Sequence, residues 1–252
     1  LGGIEYKVFT LGDDGAIARG NTQLIKRPIP SSETGGQALH STEARLVDGK
    51  LVLFFEGIDV INDYDADFYG DSYFDLHELS LNSVTGMLEG YPLFSENTVY
   101  APLLDSGTFS ASIVATCPLG TEQLSCTAST ILGGFATGVY VSEQAFYLWD
   151  SGYEWDFPTP PLTGNTALDT TDLKSVIYRI DLATHQVGAI GVDGEPLDSF
   201  SMRERNGRFE FVSSDYDADE SFYGAVDISR FNGDVYQYPK QRYIKVSSEE
   251  GS

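Results

Sequence analysis

One segment of this chain occurs twice, and a long internal repeat limits the fold more than any single motif does. The first copy contains Asp63-Tyr64-Asp65-Ala66-Asp67, and the second contains Asp215-Tyr216-Asp217-Ala218-Asp219. Matching pieces surround these segments in the same order, and the pairs are Tyr6–Val8 with Tyr178–Ile180, Asp48–Lys50 with Asn206–Arg208, and Phe68–Gly70 with Phe222–Gly224. Each copy therefore reads as a strand, a hairpin strand, an acidic loop and a further strand, which is about one four-stranded sheet with its connections.

Short strands separated by turns are predicted along the whole chain, and helix patterns are weak throughout. The predicted strands are Glu5–Leu11, Lys50–Glu56, Ser72–Leu81, Ser110–Thr116, Gly138–Val141, Ala145–Trp149, Ser175–Leu182, Arg208–Ser213, Tyr223–Ser229 and Tyr243–Val246. Between them, Asp48-Gly49 and Asn206-Gly207 are dipeptides that supply the positive φ angles of tight hairpins. Regularly spaced short strands of this kind are typical of sandwiches, barrels and propellers.

The repeat decides between these architectures. Sheet-sized units that cannot bury both faces alone are what a propeller stacks around its axis. We therefore predict an all-β fold with one domain over residues 1–252, a β-propeller of about five to seven four-stranded antiparallel blades, complete or shortened. Two packed β-sandwiches that arose by duplication are the alternative. Residues 151–171, which are rich in proline and small polar residues, are predicted to form a long surface loop.

The chain is strongly acidic. It has 38 Asp and Glu against 15 Lys and Arg among 252 residues, for a formal net charge of −23. Binding to nucleic acid is excluded on this balance, because phosphate backbones require clustered Lys and Arg, and anionic membrane surfaces are disfavoured for the same reason. There is also no run of about 18 apolar residues that would form a transmembrane segment. Solvated acidic surface, colloidal repulsion and cation-binding loops all remain as explanations of the charge.

The cysteines indicate the compartment. Cys117 and Cys126 are the only two, and their spacing suits a disulfide that closes a short loop in an oxidising environment. Two cysteines are too few for a structural zinc site, which requires four ligands. The chain begins with Leu1 rather than Met, so we expect a mature product whose targeting segment is missing. The predicted location is secreted or cell-surface.

The repeated acidic segment is the strongest candidate for a metal site. Carboxylates at positions i, i+2 and i+4 either share one face of a strand or converge in a loop, where their like charges repel one another. A Ca²⁺ ion, which accepts 6–8 oxygen ligands, would remove that repulsion. The predicted calcium ligands are Asp63, Asp65, Asp67 and Asp71 in the first copy and Asp215, Asp217 and Asp219 in the second, with Asn62 and Glu220 beside them. The alternative is a solvated acidic hairpin tip.

No catalytic motif is recognisable. The histidines, His40, His77 and His185, are not in a GxSxG or HExxH context, and each is expected at the surface or as a cap. Paired carboxylates for glycoside hydrolysis require a separation of about 5–9 Å, which a sequence does not give. Tyr153, Trp155 and Tyr238 could form a platform for a sugar, although such aromatic residues are more often anchors of a core or a loop.

Two stretches of the chain carry a recognisable set of residues, namely Val139, Tyr140, Ser142, Tyr147, Ile177, Tyr178, Ile180, Leu182, Pro196, Phe200, Ser201, Met202, Glu204, Gly207 and Phe209. With these residues the chain resembles a family of secreted bacterial and archaeal proteins with a β-propeller domain distantly related to WD40 repeats. The resemblance is good over residues 110–214 and looser elsewhere, and its motifs are core and turn positions. It implies a propeller fold and supplies no catalytic residues.

Together these observations predict a non-enzymatic extracellular propeller for binding or assembly at the cell surface, stabilised by calcium. Its expected partner is an extracellular protein, a carbohydrate ligand or another copy of the chain. Two alternatives remain open. One is a propeller hydrolase that acts on a sugar or lactone, and the other is a structural subunit of an extracellular filament or layer.

Overall fold

The computed structural model describes an all-β chain, as the sequence predicts. The described residues are 4–26, 41–59, 77–81, 88–104, 110–119, 124–133, 136–151, 174–198, 200–215, 220–233 and 236–246. Within these ranges, helix is restricted to two short 3-10 turns, Ile228–Arg230 and Lys240–Arg242. No helix in the described part of the chain is long and apolar enough to cross a membrane.

The strands are numbered in chain order. The first seven are β1 (Ile4–Leu11), β2 (Ile17–Lys26), β3 (Ser41–Val47), β4 (Lys50–Asp59), β5 (His77–Leu81), β6 (Leu88–Pro92) and β7 (Phe94–Tyr100). The next six are β8 (Ser110–Pro118), β9 (Cys126–Gly133), β10 (Ala136–Val141), β11 (Ala145–Ser151), β12 (Ser175–Asp181) and β13 (Val187–Val192). The last six are β14 (Glu195–Pro196), β15 (Met202–Arg205), β16 (Arg208–Asp215), β17 (Glu220–Asp227), β18 (Tyr236–Gln237) and β19 (Ile244–Val246).

The strands form four sheets, named A to D here. Sheet A has the order β1-β2-β5-β6, sheet B β3-β4-β8-β9-β7, sheet C β10-β11-β12-β13-β18, and sheet D β14-β16-β17-β19, with β15 also paired to β16. Neighbouring strands are antiparallel except that the edge strands β7 and β18 run parallel to β9 and β13. The predicted four-stranded antiparallel unit is thus the common element. The described sheets do not close into a ring, so the number of blades stays a prediction.

The two copies of the repeat occupy corresponding strands but do not each form one sheet, which corrects the expectation from the sequence. In the first copy, the hairpin β1-β2 belongs to sheet A and the hairpin β3-β4 to sheet B. In the second copy, β12-β13 belongs to sheet C and β15-β16 to sheet D. Each copy therefore contributes one hairpin to each of two sheets.

The two matching hairpins turn in the same way. Asp48 and Gly49 have φ angles of 45° and 72°, and Asn206 and Gly207 have 52° and 72°. Positive φ at both central residues defines the type I′ turn, whose twist matches the right-handed twist of the flanking strands. Asp, Asn and Gly tolerate this left-handed conformation better than other residues do. The turn prediction is therefore confirmed at both places.

Sheets B and C are buried on both faces, which explains their continuous apolar runs. In β4, Val52 and Phe54 face sheet C, while Leu53 and Phe55 lie in a second core on the opposite face of sheet B. Sheet C packs against sheet D through a third core, in which the ring of Tyr147 stacks on the ring of a phenylalanine of β16 at 4.3 Å between centroids. The order of packing is therefore B, C, D.

One strand prediction is wrong at its end. Tyr223–Ser229 is predicted as a strand, but β17 ends at Asp227 and a 3-10 turn follows. The turn brings the ring of Phe231 edge-on to the rings of Tyr147 and Phe209 in the core between sheets C and D. Burial of this aromatic side chain favours the turn over a longer strand.

Candidate functional site

The turn between β12 and β13 is docked onto one end of sheet B by side chains from four different strands. Lys50 of β4 donates from Nζ to the carbonyl of Leu182 at 3.5 Å, and Tyr100 of β7 donates from its hydroxyl to the carbonyl of His185 at 3.2 Å. Thr116 of β8 and Ser129 of β9 contact the His185 ring. This turn is therefore the principal polar connection between sheets B and C among the described residues.

His185 is the centre of that connection. Its side chain is only 7% exposed, and its backbone has a left-handed φ of 57°. Thr116 Oγ1 lies 2.5 Å from Nε2, and Ser129 Oγ lies 3.2 Å from Nδ1. The expectation of a surface histidine is wrong for His185, because hydroxyl groups of sheet B replace water around the ring.

The hydrogen-bond pattern assigns the protons of this ring. Ser129 Oγ donates its one proton to the His185 carbonyl at 3.1 Å, so it accepts a proton from Nδ1. Nε2 is then unprotonated and accepts the hydroxyl proton of Thr116. Burial, together with the ammonium of Lys50, lowers the pKa of His185 below its usual value of 6.5, although the carboxylates of Asp181 and Glu96 act in the opposite direction. The ring is therefore neutral at pH 7.

Asp181 shapes the turn that presents His185. Its Oδ1 accepts hydrogen bonds from the backbone nitrogens of Ala183 at 3.0 Å and Thr184 at 2.9 Å, and from the Thr184 hydroxyl at 3.0 Å. Burial alone would raise the pKa of Asp181, but the hydrogen bonds from Thr184 and Ala183 outweigh it and lower the pKa. An ionised Asp181 therefore holds the turn in a fixed conformation.

A polar cavity of about 290 Å³ opens beside the docked turn. It is lined by Lys50, Glu96, Thr116, Pro118, Thr127, Leu182, Ala183, Thr184 and His185. The lining offers an ammonium, a carboxylate and several hydroxyl groups. Such groups bind a polar ligand through hydrogen bonds and charge, and this cavity is the candidate functional site.

The disulfide predicted from the sequence is present at this cavity. Cys117 and Cys126 are bonded, with an S–S distance of 2.02 Å, and they follow and precede the cross-strand pair Thr116 and Thr127. Because strand neighbours point to opposite faces, the disulfide lies behind the two threonines. It fixes the ends of β8 and β9 that form the wall of the cavity.

A second polar cluster joins sheets C and D. Glu204 Oε2 accepts from Ser142 Oγ at 2.7 Å and from the Tyr147 hydroxyl at 2.8 Å, and Arg179 Nε donates to the same hydroxyl at 3.2 Å. Burial, followed by the contact with Glu204, raises the pKa of Tyr147. Ser142, Tyr147 and Glu204 belong to the motifs that resemble the propeller family, and their role here is to hold one sheet to the next.

The predicted calcium ligands lie almost entirely outside the described residues. Asp215 closes β16, where its backbone pairs with Glu220 of β17, so the second acidic segment connects two paired strands. The other predicted ligands, Asp63, Asp65, Asp67, Asp71, Asp217 and Asp219, are not described, and the same holds for His40 and for 152–171 of the predicted loop. Within the described ranges, no group of three or more His, Cys, Asp or Glu could hold a metal ion.

Sequence reasoning did not find the residues of the cavity. Lys50, Glu96, Thr116 and Thr127 are ordinary strand residues in the sequence, and His185 follows Thr116 by 69 positions. The one local signal is that each cysteine of the disulfide is next to a threonine. Tyr238, considered as part of a sugar platform, is 3% exposed and packs in the core between sheets C and D.

Comparison with known proteins agrees with this architecture. A family model described as a beta propeller domain matches residues 89–242, which is more than half of the chain. A comparison with curated proteins found no match. The matched range includes β7 to β17 and every residue of the cavity except Lys50. The chain therefore belongs to the beta propeller domain family.

Proposed function

We propose that this chain is a non-enzymatic extracellular propeller that binds its partner through the cavity between sheets B and C. One observation carries the proposal: a polar cavity lies at the end of a sheet whose strands are fixed there by a disulfide. Disulfides persist in oxidising compartments, which supports a secreted or cell-surface location. A fixed wall reduces the entropy that a ligand must overcome on binding.

The hydrogen bonds that hold the Thr116–His185 pair support binding rather than catalysis at this cavity. A hydroxyl that donates to a neutral imidazole has the geometry of a nucleophile and its base. Here, however, both ring nitrogens and the carbonyl of His185 hold sheet B, and Ser129 is fully buried. Movement of the ring during a reaction would break the connection between the sheets. Lys50, Glu96 and Thr127 remain as groups that can contact a ligand.

Arrays of extracellular glycans and of peptides, probed with the fluorescently labelled chain, test this proposal. Thr127→Tyr fills the cavity, and Thr10→Tyr, at an exposed position of β1, is the matched control. We expect the wild type and the control to bind the same spots, and Thr127→Tyr to lose at least tenfold in signal. Absence of any bound spot, equal binding by Thr127→Tyr, or chemical conversion of the bound compound would overturn the proposal.

We further propose that calcium stabilises the two acidic segments. Support comes from their occurrence after corresponding strands, β4 and β16, and from the oxygen-rich ligand set. A ligand that binds only the folded state raises the melting temperature, so removal of Ca²⁺ with EDTA should lower it. Asp65→Asn with Asp217→Asn should abolish the difference. Equal melting curves with and without EDTA would remove calcium as a structural element.

A further inference from the structure

The charged groups of the cavity are arranged along one row of sheet B. Thr116 pairs with Thr127, and Thr127 pairs with Glu96, so these three side chains share the face that is turned to sheet C. Lys50 lies on the same face of β4, two residues before the partner of Thr116. Three strand spacings of about 4.8 Å separate β4 from β7. Lys50 and Glu96 are therefore at opposite walls of the cavity.

The ammonium of Lys50 and the carboxylate of Glu96 can both form further contacts with a ligand. Lys50 Nζ makes one long contact, 3.5 Å to the Leu182 carbonyl, and an ammonium has three donors. Within the described part of the chain, no ion pair joins Lys50 to Glu96 or either of them to another residue. The Thr127 side chain, between the two walls, likewise makes no hydrogen bond to a described residue.

Resting on the function proposed above, we infer that the cavity binds a small dipolar ligand, with a carboxylate at one end and hydrogen-bond donors at the other. The carboxylate pairs with Lys50, the donors pair with Glu96, and Thr127 contacts the middle of the molecule. A volume of about 290 Å³ is at the lower limit of ligand pockets, about 300–1,000 Å³. The ligand is therefore the size of one sugar or of a very short peptide.

Two natural sources share this chemistry. In a sugar acid the donors are hydroxyl groups, and a carboxylate such as that of Glu96 accepts two of them at once. In an amino acid or short peptide the donor is an ammonium, which adds a charge-assisted hydrogen bond. In both cases the ligand contains both ends, because a carboxylate alone would pair with Lys50 but gain nothing at the exposed Glu96, whose charge repels it.

Isothermal titration of the full chain at neutral pH tests the inference with four compounds. D-glucuronate and glycylglycine have both ends, D-glucose has only the hydroxyl donors, and acetate has only the carboxylate. We expect at least one of the first two to bind at least tenfold more tightly than both single-ended compounds. Whichever of them binds identifies the source as a sugar acid or a peptide. Binding of acetate or glucose as tight as that of the two-ended compounds, or of none of the four, would overturn the inference.

Substitutions at the cavity and at exposed control positions test whether the compound binds in this cavity. Lys50→Met and Glu96→Gln should each weaken the bound two-ended compound at least fivefold, while Lys174→Met and Glu143→Gln, at exposed positions, should not. Circular dichroism verifies that each variant folds, and the comparison of four compounds on the wild type requires no variant. Array binding that Thr127→Tyr removes, combined with no heat from any of the four, would leave the proposed function standing and overturn only the dipolar ligand.

Discussion

The hydrogen bond between Thr116 and His185 should contribute measurably to stability, and Thr116→Val isolates it. Valine is close to threonine in shape and replaces the hydroxyl with a methyl group, which cannot donate a hydrogen bond. Both residues are 7% exposed, so the replacement leaves Nε2 of a buried imidazole without its donor. An unsatisfied buried polar group costs about 1–3 kcal/mol. We therefore expect Thr116→Val to lower the free energy of unfolding by about 1–3 kcal/mol.

Urea unfolding at about pH 8, followed by tryptophan fluorescence and circular dichroism, measures this loss. Trp149 is fully buried between sheets C and D and reports the unfolding of that core. With a urea m-value of about 3 kcal/mol/M, the midpoint should fall by about 0.3–1 M. Thr98→Val is the matched control, since Thr98 is exposed on β7 of the same sheet, and its effect should be within about 0.5 kcal/mol.

A double-mutant cycle separates the contact from a general effect of the substitution. His185→Asn is the second variant, because asparagine tolerates the left-handed backbone at this position. Residues in direct contact show interaction energies of about 0.5–3 kcal/mol, whereas independent sites are additive. A Thr116→Val effect no larger than that of Thr98→Val, or additive effects in the double variant, would refute the assignment of this hydrogen bond as the connection between sheets B and C.

Three more outcomes are expected. Because the pKa of His185 is lowered in the folded protein, the unfolded chain takes up this proton at a higher pH than the folded protein does. Stability should therefore fall on acidification from about pH 8 to pH 5, and His185→Asn should remove that part of the slope in urea titrations. Replacing Cys117 and Cys126 together by alanine should cost about 2–3 kcal/mol from loop-closure entropy, measured by the same unfolding, and an unchanged midpoint would contradict it. Gly224→Ala would place its Cβ against the buried ring of Phe211, so a loss of about 1–3 kcal/mol is expected in thermal unfolding, and no loss would mean that the ring can move aside.

Structural features that depend on residues close together in the chain are predictable from the sequence. The strands and the Asp48-Gly49 and Asn206-Gly207 turns follow from local preference, and each predicted strand has a described counterpart. Tyr223–Ser229 is wrong at its end, 72–76 of the predicted Ser72–Leu81 lie outside the described residues, and β2, β3, β7, β9 and β13 were not predicted. Residues 51–55 form an apolar run without alternation, as is typical of a strand buried on both faces, although this was not among the predictions from the sequence. Membership of a sheet is different, because it depends on partners that are far apart in the chain. The pairing of β2 with β5, which returns the chain to sheet A after β3 and β4, has no local signal.

In the candidate site, too, local features were predictable from the sequence and contacts between distant residues were not. The disulfide was predictable because only one pairing exists. The contact from Lys50 to Leu182 spans 132 positions, and the contacts of His185 with Thr116 and Ser129 span 69 and 56. A polar residue in a strand has the same local pattern whether it faces water or a docked turn. Only the packing of sheet C on sheet B distinguishes these cases, and that packing is a property of the whole chain.

The strand assignment places the two acidic segments at corresponding positions in the chain. Both acidic segments follow the second strand of a matching hairpin, β4 in sheet B and β16 in sheet D. After the second segment, β17 pairs with β16 itself, whereas Phe68–Gly70, the residues of the first copy that match Phe222–Gly224 of β17, lie outside the described residues. The shared position after β4 and β16 is a reason to expect the same role for Asp-Tyr-Asp-Ala-Asp at both places. Binding of the proposed Ca²⁺ is one such role, because this ion is coordinated by several oxygen ligands that the repeated carboxylates would supply. The EDTA experiment therefore tests this explanation of the repeat together with the metal.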